Sequence, residues 1–219
     1  MKTRKQILIT FEGGEGSGKT TQSKLLAIYL KQKGFDVLVL REPGGCPITE
    51  KIRNILLSPD NFKLTSLSEL FLYEASRAQL TAEIILPALE AGKIVICDRF
   101  TDATIAYQGW GRKLPTAQIE MLNDLACYNL KPAITFYLDI DPQEGLKRAK
   151  GLADKPYGLA GDRIEAQNLT FHKNVRNGYL DLCKQYRQRI KQIAADKNID
   201  EIQKIIQAYT DETLAQIEG

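Results

Sequence analysis

The sequence contains few residues that bind metals or form disulfides. Its four cysteines are far apart, no two of them form a Cys-x-x-Cys pair, and His172 is the single histidine. This pattern excludes a disulfide scaffold and a zinc site built from neighbouring cysteines. We therefore expect reduced thiols in a cytoplasmic protein. The apolar run at residues 7–11 is far too short for a signal peptide or a membrane span, so we expect no contact with a bilayer.

The chain also has little net charge. Its 30 lysines and arginines against 27 acidic residues give +3, which does not predict a nucleic-acid partner. Repeats, low-complexity tracts and Ser/Gly-rich linkers are missing. The hydrophobic fraction of 43% is that of an ordinary globular protein and excludes a disordered chain. A length of 219 residues predicts a single domain, residues 1–219, with one sizeable core.

Short apolar segments alternate with longer helical patterns. The predicted strands are Gln6–Phe11, Val37–Leu40, Ile94–Asp98, Ala133–Asp139 and the more polar Arg189–Ile193. The predicted helices are Lys19–Gln32, Ser66–Ala91, Thr116–Asn129, Gln143–Lys150, Leu169–Gln188 and Ile199–Ile217. Nearly continuous Ile, Val and Leu is typical of strands buried on both faces of a parallel sheet. The alternation therefore predicts an α/β protein with a five-stranded parallel sheet flanked by helices.

Local signals add detail to two of these segments. Ser66 followed by Glu69 is a capping-box pattern for the start of the predicted helix Ser66–Ala91. Pro87 should bend that helix or end it early, because proline has no N–H and its ring clashes with the preceding turn. Trp110 stands between two glycines, which favours a packed-down loop over a helix.

One glycine-rich stretch has neither helical nor strand periodicity. It runs from Gly151 to Gly161, with Arg148 before it and Arg163 after it. We expect a mobile loop there, within a lid at about residues 147–165. Such a lid could close over a phosphate site, exclude water and bring in an arginine. A solvated basic surface is the alternative interpretation.

The strongest motif follows the first predicted strand. The pattern G-x-x-x-x-G-K-[ST] is matched by Gly13, Gly14, Glu15, Gly16, Ser17, Gly18, Lys19 and Thr20, and Thr21 comes next. The glycines let backbone N–H groups surround a phosphate, and the helix adds its positive N-terminal end. Lys19 would reach the β- and γ-phosphates, and the Thr20 hydroxyl would hold Mg²⁺. Because a strand precedes the motif and a helix follows it, we predict a nucleoside triphosphate site.

A second charged motif lies at the end of another strand. Asp98 and Arg99 lie at the end of Ile94–Asp98, at the sheet edge where ligands sit in open α/β folds. Asp98 can act there on Mg²⁺, directly or through water. Arg99 would repel a metal, and its forked donors suit a second anionic group near the γ-phosphate. An ordinary ion pair at a strand end is the alternative.

Several other residues give weaker signals for the same cleft. Arg41 and Glu42 begin a Pro-Gly turn at a strand end, which a charged surface turn explains equally well. Tyr73 and Arg77 lie one helical turn apart and could stack on a base and hydrogen-bond it. A core tyrosine covered by an arginine explains that pair too. The residues that follow Arg99 closely enough to line the cleft are Thr104, Tyr107 and Gln108.

Together these groups predict a site for two polyanions held head to head. A phosphomonoester acceptor is already a nucleophilic dianion at pH 7 and needs no catalytic base. A hydroxyl acceptor would need one, and Asp98 could take that role. The absence of an N-K-x-D motif from the sequence argues against a GTPase switch. A kinase for CMP, UMP, a deoxynucleoside or a sugar acid, and a slowly hydrolysing ATP-dependent switch, stay open.

Taken in order, the motifs resemble bacterial thymidylate kinase. They are FEGGEGSGKTTQ, REPGG, YEASRAQ, DRF followed by AYQGWGR, and DRIE, and they extend from Phe11 to Glu165. Apart from the P-loop, no single string is specific for a protein family, but the whole set in this order is specific for this one. The resemblance implies a P-loop kinase fold, usually in a homodimer packed through long helices. It also implies that ATP, with Mg²⁺, phosphorylates dTMP to dTDP.

The resemblance implies a role for each matching residue. The P-loop residues Gly13, Gly18, Lys19 and Thr20 would hold the ATP phosphates and the metal. Arg99 would bind the dTMP phosphate, and Asp98 would position metal and acceptor. Tyr73 matches a stacking aromatic, and Arg77 matches the arginine that reads a thymine carbonyl. The remaining implied contacts to dTMP are Glu42 near the acceptor, Thr104 and Gln108 at the thymine or its sugar, and Tyr107 crowding the sugar 2′ position.

The chain departs from the usual family pattern in places. Glu15 stands where some relatives have an arginine, so the resemblance implies a catalytic arginine from the lid, either Arg148 or Arg163. Tyr73 replaces the usual phenylalanine and adds a hydroxyl that needs a partner. The lid is longer than the usual short form, and the last strand is polar. The ATP adenine would rest against Arg148 and the loop near Ala194–Asn198.

Overall fold

A five-stranded parallel sheet runs through the residues that the computed structural model describes, 6–151 and 161–218. Its strands are β1 (Ile7–Glu12), β2 (Val37–Arg41), β3 (Ile94–Asp98), β4 (Ile134–Asp139) and β5 (Ile190–Ala194). Their order across the sheet is β2-β3-β1-β4-β5, and every neighbouring pair is parallel. The predicted α/β class with a five-stranded parallel sheet is confirmed.

Helices cover both faces of this sheet. The α-helices are α1 (Lys19–Gln32), α2 (Pro47–Leu57), α3 (Ser66–Leu80), α4 (Leu86–Glu90), α5 (Thr101–Thr104), α6 (Thr116–Ala126), α7 (Pro142–Lys150), α8 (Leu169–Gln185) and α9 (Ile199–Glu218). One core contains Phe11 of β1 with Leu26 of α1 and Ile206 of α9. A second core joins Tyr137 of β4 to Tyr179 of α8 and to residues of α2 and α3.

The strand register brings three loops together at one edge of the sheet. Asp98, the last residue of β3, is level with Phe11 of β1 and with Arg41 of β2. Arg99 donates its backbone N–H to the carbonyl of Phe11 at 2.9 Å, and Glu42 donates to the carbonyl of Asp98 at 2.9 Å. The loops after β1, β2 and β3 therefore start side by side, as a site at this edge of the sheet requires.

The structure corrects two predictions around α3. Thr65, not Ser66, caps the helix, because its hydroxyl accepts a hydrogen bond from the N–H of Ser68 at 3.3 Å. Glu69 takes no part in a capping box, since its carboxylate is buried among arginines. The predicted long helix is interrupted by a π-helical turn at Thr81–Ile85. A widened turn directly before Pro87 accommodates a residue that cannot donate a backbone hydrogen bond.

Two further segments differ from the sequence-based expectation. Helix α2 lies where no helix was predicted. Trp110 lies in a π-helical segment, Ile105–Gly111, rather than in a loop. The indole packs on α8 at Gly178, where an added Cβ would come within 2.7 Å of it. The missing side chain at Gly178 thus lets α8 approach this segment.

Two other predictions concern a membrane span and the lid. None of the described helices has the length and apolar content that a membrane span needs. Residues 152–160, the centre of the predicted lid, lie outside the described residues. The single domain of residues 1–219 and the mobile lid stay predictions.

Candidate active site

The glycine loop leads directly from β1 into α1. Gly18, the last residue before α1, has a φ of +91°, a left-handed conformation that favours glycine. The Nζ of Lys19 donates to the carbonyl oxygen of Gly14 at 2.8 Å and to Ser17 Oγ at 3.3 Å. Burial, followed by repulsion from Arg99, lowers the pKa of Lys19. An anion bound in the loop would favour the charged form of this lysine.

Thr20 and Asp98 connect the glycine loop to β3. The Thr20 hydroxyl donates to Asp98 Oδ2 at 2.6 Å. Asp98 ends its strand beside the P-loop and is almost fully buried. A hydroxyl and a carboxylate oxygen at this distance are donors of the kind that Mg²⁺ takes, together with water and phosphate oxygens. The residues at this point therefore fit the predicted metal.

Arg99 lies between the glycine loop and the neighbouring helical segment. Its φ is +72°, an unusual conformation for a residue with a Cβ. The guanidinium donates to Glu15 Oε1 at 2.8 Å and to the carbonyl of Gly13 at 3.1 Å, and it lies 4.8 Å from the centre of the Tyr107 ring. Tyr107 also donates its hydroxyl to Glu15 Oε1 at 2.8 Å.

Glu15 is ionised in this arrangement. Burial by itself would raise the pKa of its carboxyl, but the charges of Arg99 and Lys19 outweigh burial, and the pKa is about 2. The carboxylate thus interacts with two cations, Arg99 and Lys19, that are both predicted to bind phosphate groups.

Arg77 is fully enclosed by protein acceptors. Only 2% of its surface is exposed, so it is neither a surface arginine nor one that covers a core tyrosine from outside. Its guanidinium donates to the side chains of Glu42, Glu74, Thr104 and Asn123 and to the carbonyl of Phe100. Burial raises the pKa of Glu42 to about 7, although Arg77 acts in the opposite direction. The second oxygen of Glu42, Oε1, is buried without a partner among the described residues.

A pocket beside the P-loop, here called the inner pocket, collects the predicted acceptor residues. All seven of them line it: Glu42, Tyr73, Arg77, Arg99, Thr104, Tyr107 and Gln108. Burial raises the pKa of the Tyr73 phenol, so its hydroxyl is neutral. The structure therefore brings together, in one cavity, residues that are far apart in the sequence.

A second cavity, here called the P-loop pocket, contains most of the predicted donor residues, although Gly13 and Gly14 do not line it. It is lined by Glu15, Gly16, Ser17, Gly18, Lys19, Thr20, Thr21 and Asp98. Arg148 also lines it and donates to the carbonyl of Ala195 at 2.9 Å, so α7 meets the loop after β5 as the adenine prediction requires. The two pockets share the residues Glu15, Glu42, Arg53 and Arg99.

The other lid arginine, Arg163, lies elsewhere. Its Nε donates to the carbonyl of Leu56 at 2.8 Å, and its Nη1 lies 2.6 Å from Glu69 Oε2. Arg163 is 5% exposed and lines neither pocket. In this structure it anchors the C-terminal end of the predicted lid to α2 and α3, while Arg148 is the lid arginine that reaches the P-loop pocket.

Sequence reasoning missed two charged residues of this region. Arg53, on α2, lines both pockets and donates to the carbonyl of Pro43 at 2.9 Å. The spacing of Ile48, Ile52 and Ile55 predicts a helix that would have revealed it. Glu12 accepts from the backbone N–H of Phe100 at 2.7 Å and from the Tyr179 hydroxyl at 2.8 Å. Burial, then repulsion from Asp102, raises the pKa of Glu12 to about 8.

Comparison with known proteins identifies the family. The family model for thymidylate kinase matches residues 11–206, which include every residue of both pockets. The chain belongs to the thymidylate kinase family. This confirms the resemblance found in the sequence, and with it the enzyme class, a kinase.

Individual thymidylate kinases are similar over nearly the whole chain. The protein of Geotalea uraniireducens is 50% identical over 208 residues, 95% of this chain and 98% of its own length. That of Syntrophotalea carbinolica is 50% identical over 196 residues, 90% of this chain and 91% of its own. The crystal structure of thymidylate kinase from Ehrlichia chaffeensis superposes with a TM-score of 0.73 at 37% identity, covering 94% of this chain and 99% of that one. The P-loop kinase fold is thereby confirmed.

Proposed function

We propose that this chain transfers the γ-phosphoryl group of ATP to dTMP, giving ADP and dTDP. One observation carries the proposal: the P-loop pocket and the inner pocket meet at Glu15, Glu42, Arg53 and Arg99. ATP binds in the P-loop pocket with its adenine near Arg148, and dTMP binds in the inner pocket. The donor and acceptor phosphates then face each other beside the guanidinium of Arg99.

The cationic side chains of the chain make this approach possible. Two phosphate groups repel each other strongly, and the ammonium of Lys19 and the guanidinium of Arg99 lie where they would meet. The acceptor phosphate is a dianion at neutral pH and attacks without a base. Catalysis then consists of holding the two groups in line and stabilising the charge that spreads over the transferred phosphoryl group.

Thr20 and Asp98 would hold Mg²⁺. When bound there, the ion would supply positive charge that offsets the negative charge of the phosphates. Among the described residues, no group of three His, Cys, Asp or Glu side chains could hold a metal without help. This fits an ion that takes most of its ligands from phosphate and water. The chain's own part is to fix the hydroxyl and the carboxylate 2.6 Å apart.

The inner pocket suits a thymine deoxynucleotide. Tyr73 stacks on the base, and Tyr107 crowds the sugar 2′ position. Thr104 and Gln108 contact the base or its sugar, and Glu42 lies near the acceptor. Because the N–H groups of Arg77 already face protein acceptors, a thymine carbonyl shares one of them rather than taking a free donor.

An assay of ADP release across nucleoside monophosphates tests the proposal. We expect rapid turnover with dTMP, ATP and Mg²⁺, and much slower turnover with CMP, UMP and dCMP. Equal turnover of dTMP and CMP would overturn the assigned specificity. Nucleotide hydrolysis that no monophosphate stimulates would point to a switch protein instead.

Two further properties belong to the same proposal. The exposed apolar side chains Leu67 and Phe71 on α3 and Met121 and Leu125 on α6 support a homodimer packed through these helices. Light scattering should give a dimer for the wild type and a monomer for Phe71→Asp, and a monomeric wild type would contradict this part. Four buried cysteines, all free, support a cytoplasmic location.

A further inference from the structure

Glu69 is a buried residue in contact with Gln108, which lines the inner pocket, and both oxygens of its carboxylate face hydrogen-bond donors. Its exposed fraction is 0%. Oε1 accepts from Gln108 Nε2 at 2.8 Å and from Arg112 Nε at 3.0 Å. Oε2 accepts from Arg112 Nη2 at 3.0 Å, and Arg163 Nη1 lies 2.6 Å from it. Two arginines thus hold this carboxylate in one position and keep it ionised.

The ionised carboxylate fixes the orientation of the Gln108 amide. An amide can turn either its NH₂ or its oxygen toward a neighbour, but an ionised carboxylate can only accept hydrogen bonds. The NH₂ of Gln108 must therefore face Glu69, and its Oε1 is left for a ligand. Gln108 is 1% exposed and lines the inner pocket, and no described residue donates to its Oε1. The pocket wall offers an acceptor here and not a donor.

We propose that Glu69 is a positioning residue that sets base specificity by holding Gln108 with its oxygen toward the substrate base. This rests on the proposed function, with a deoxynucleoside monophosphate in the inner pocket. Thymine and uracil carry an N–H at N3 that can donate to this oxygen. Cytosine has an unprotonated N3 that accepts, so two acceptors would face each other and stay unpaired. The selection comes from Glu69 because, without a carboxylate there, the Gln108 amide could turn to suit either base.

The chain offers a matched pair of variants to test this. Glu69→Gln keeps the shape but can donate as well as accept, so it releases the amide of Gln108. We expect the ratio of kcat/KM for dTMP to kcat/KM for dCMP to fall about tenfold or more, as expected for one reversed hydrogen bond. The control Arg112→Gln disturbs the same cluster but leaves the carboxylate. It should lower stability and leave the ratio unchanged.

The ratio of kcat/KM for dTMP to kcat/KM for dCMP distinguishes damage to the fold from a turned Gln108 amide. Damage to the fold alone lowers turnover of both substrates equally, whereas a turned amide favours dCMP. An unchanged ratio in folded Glu69→Gln, or the same fall in Arg112→Gln, overturns the proposal. If the wild type phosphorylates neither substrate, the result contradicts the proposed function itself rather than the role of Glu69.

A measurement on the wild-type protein does not depend on the folding of any variant. In ¹⁵N-labelled protein, the side-chain NH₂ protons of Gln108 should exchange slowly with water both before and after dTMP is added, because Glu69 binds them throughout. Fast exchange in the free protein that slows only with dTMP would mean that the NH₂ faces the base. That result would overturn the assigned orientation even in a protein without kinase activity.

Discussion

The guanidinium of Arg99 and the carboxylate of Glu15 form an ion pair where the two pockets meet, with Nη2 and Oε1 2.8 Å apart. A substrate phosphate placed at this junction must compete with Glu15 for the same guanidinium. Under the proposed function, Arg99 would therefore exchange the Glu15 carboxylate for a substrate phosphate, and its charge would have an anionic partner in both states.

Replacing Arg99 should affect the two substrates unequally. In Arg99→Ala, we expect the Kd of dTMP to rise about 10- to 100-fold, the effect of losing hydrogen bonds between charged groups. The Kd of ATP should change far less, because Lys19 and the loop backbone still hold its phosphates. Isothermal titration of each nucleotide measures this, with Arg99→Lys as a variant that keeps the charge. Comparable losses for both ligands would contradict the assigned role.

Tyr107 should govern the choice between deoxyribose and ribose. In Tyr107→Ala, space opens beside the sugar, so we expect the preference for dTMP over ribothymidine monophosphate to narrow. The comparison of kcat/KM for the two substrates measures it. Tyr107→Phe loses only the hydrogen bond to Glu15 and should keep most of the preference. If the ratio in Tyr107→Ala equals that of the wild type, Tyr107 has no part in sugar recognition.

Glu12 should make stability depend on pH. Burial and repulsion from Asp102 raise its pKa in the folded chain from 4.5 to about 8. Between these values the folded state keeps a proton that the unfolded state has lost, so the free energy of unfolding falls as the pH rises. Glu12→Gln removes this dependence: its oxygen can still accept from the Phe100 N–H, and its NH₂ can donate to the Tyr179 hydroxyl.

Urea unfolding of the wild type and Glu12→Gln at pH 5 and pH 8.5 measures the effect. We expect the wild type to lose on the order of 1 kcal/mol or more relative to the variant between these two pH values. The difference between the proteins reports on Glu12 alone, because all other groups titrate in both. A difference that is the same at both pH values would mean that Glu12 is ionised in the folded chain throughout.

The two arginines of the predicted lid should behave differently. Arg148→Ala should raise the KM for ATP with little loss of stability, because Arg148 is exposed and lines the P-loop pocket. Arg163→Ala should lower the free energy of unfolding by about 3 kcal/mol, since it leaves the buried Glu69 short of a partner. Steady-state kinetics and urea unfolding of both variants check this. A stable Arg163→Ala with a greatly reduced kcat would instead place Arg163 in phosphoryl transfer.

The strands and the P-loop were predictable because their signals are local. Nearly continuous apolar residues define β1, β3 and β4. The pattern from Gly13 to Thr20, placed between a strand and a helix, is specific for a phosphate-binding loop. Even the polar segment Ile190–Ala194 forms a strand, because β5 lies at the sheet edge, where Lys191 and Gln192 can reach solvent.

What sequence reasoning missed depends on contacts between distant segments. Glu69 looked like a helix cap because Arg112 and Arg163, which bury it, lie far along the chain. Arg53 stayed hidden because the Pro-Gly turn before α2 obscured the helical spacing after it. Trp110 looked like a loop residue because Gly178, which makes room for its indole, belongs to another helix.

The hydrogen-bond donors that surround the Glu69 carboxylate also limit which substitutions this sequence can accept during evolution. A neutral residue at position 69 leaves the buried guanidinium of Arg163 and the partly buried one of Arg112 with too few acceptors, and the loss of either arginine removes a partner from the carboxylate. Each single step is costly, whereas joint replacement by well-packed apolar residues can be nearly neutral. In a library of random variants selected for growth, these three positions should therefore be retained or lost as a block.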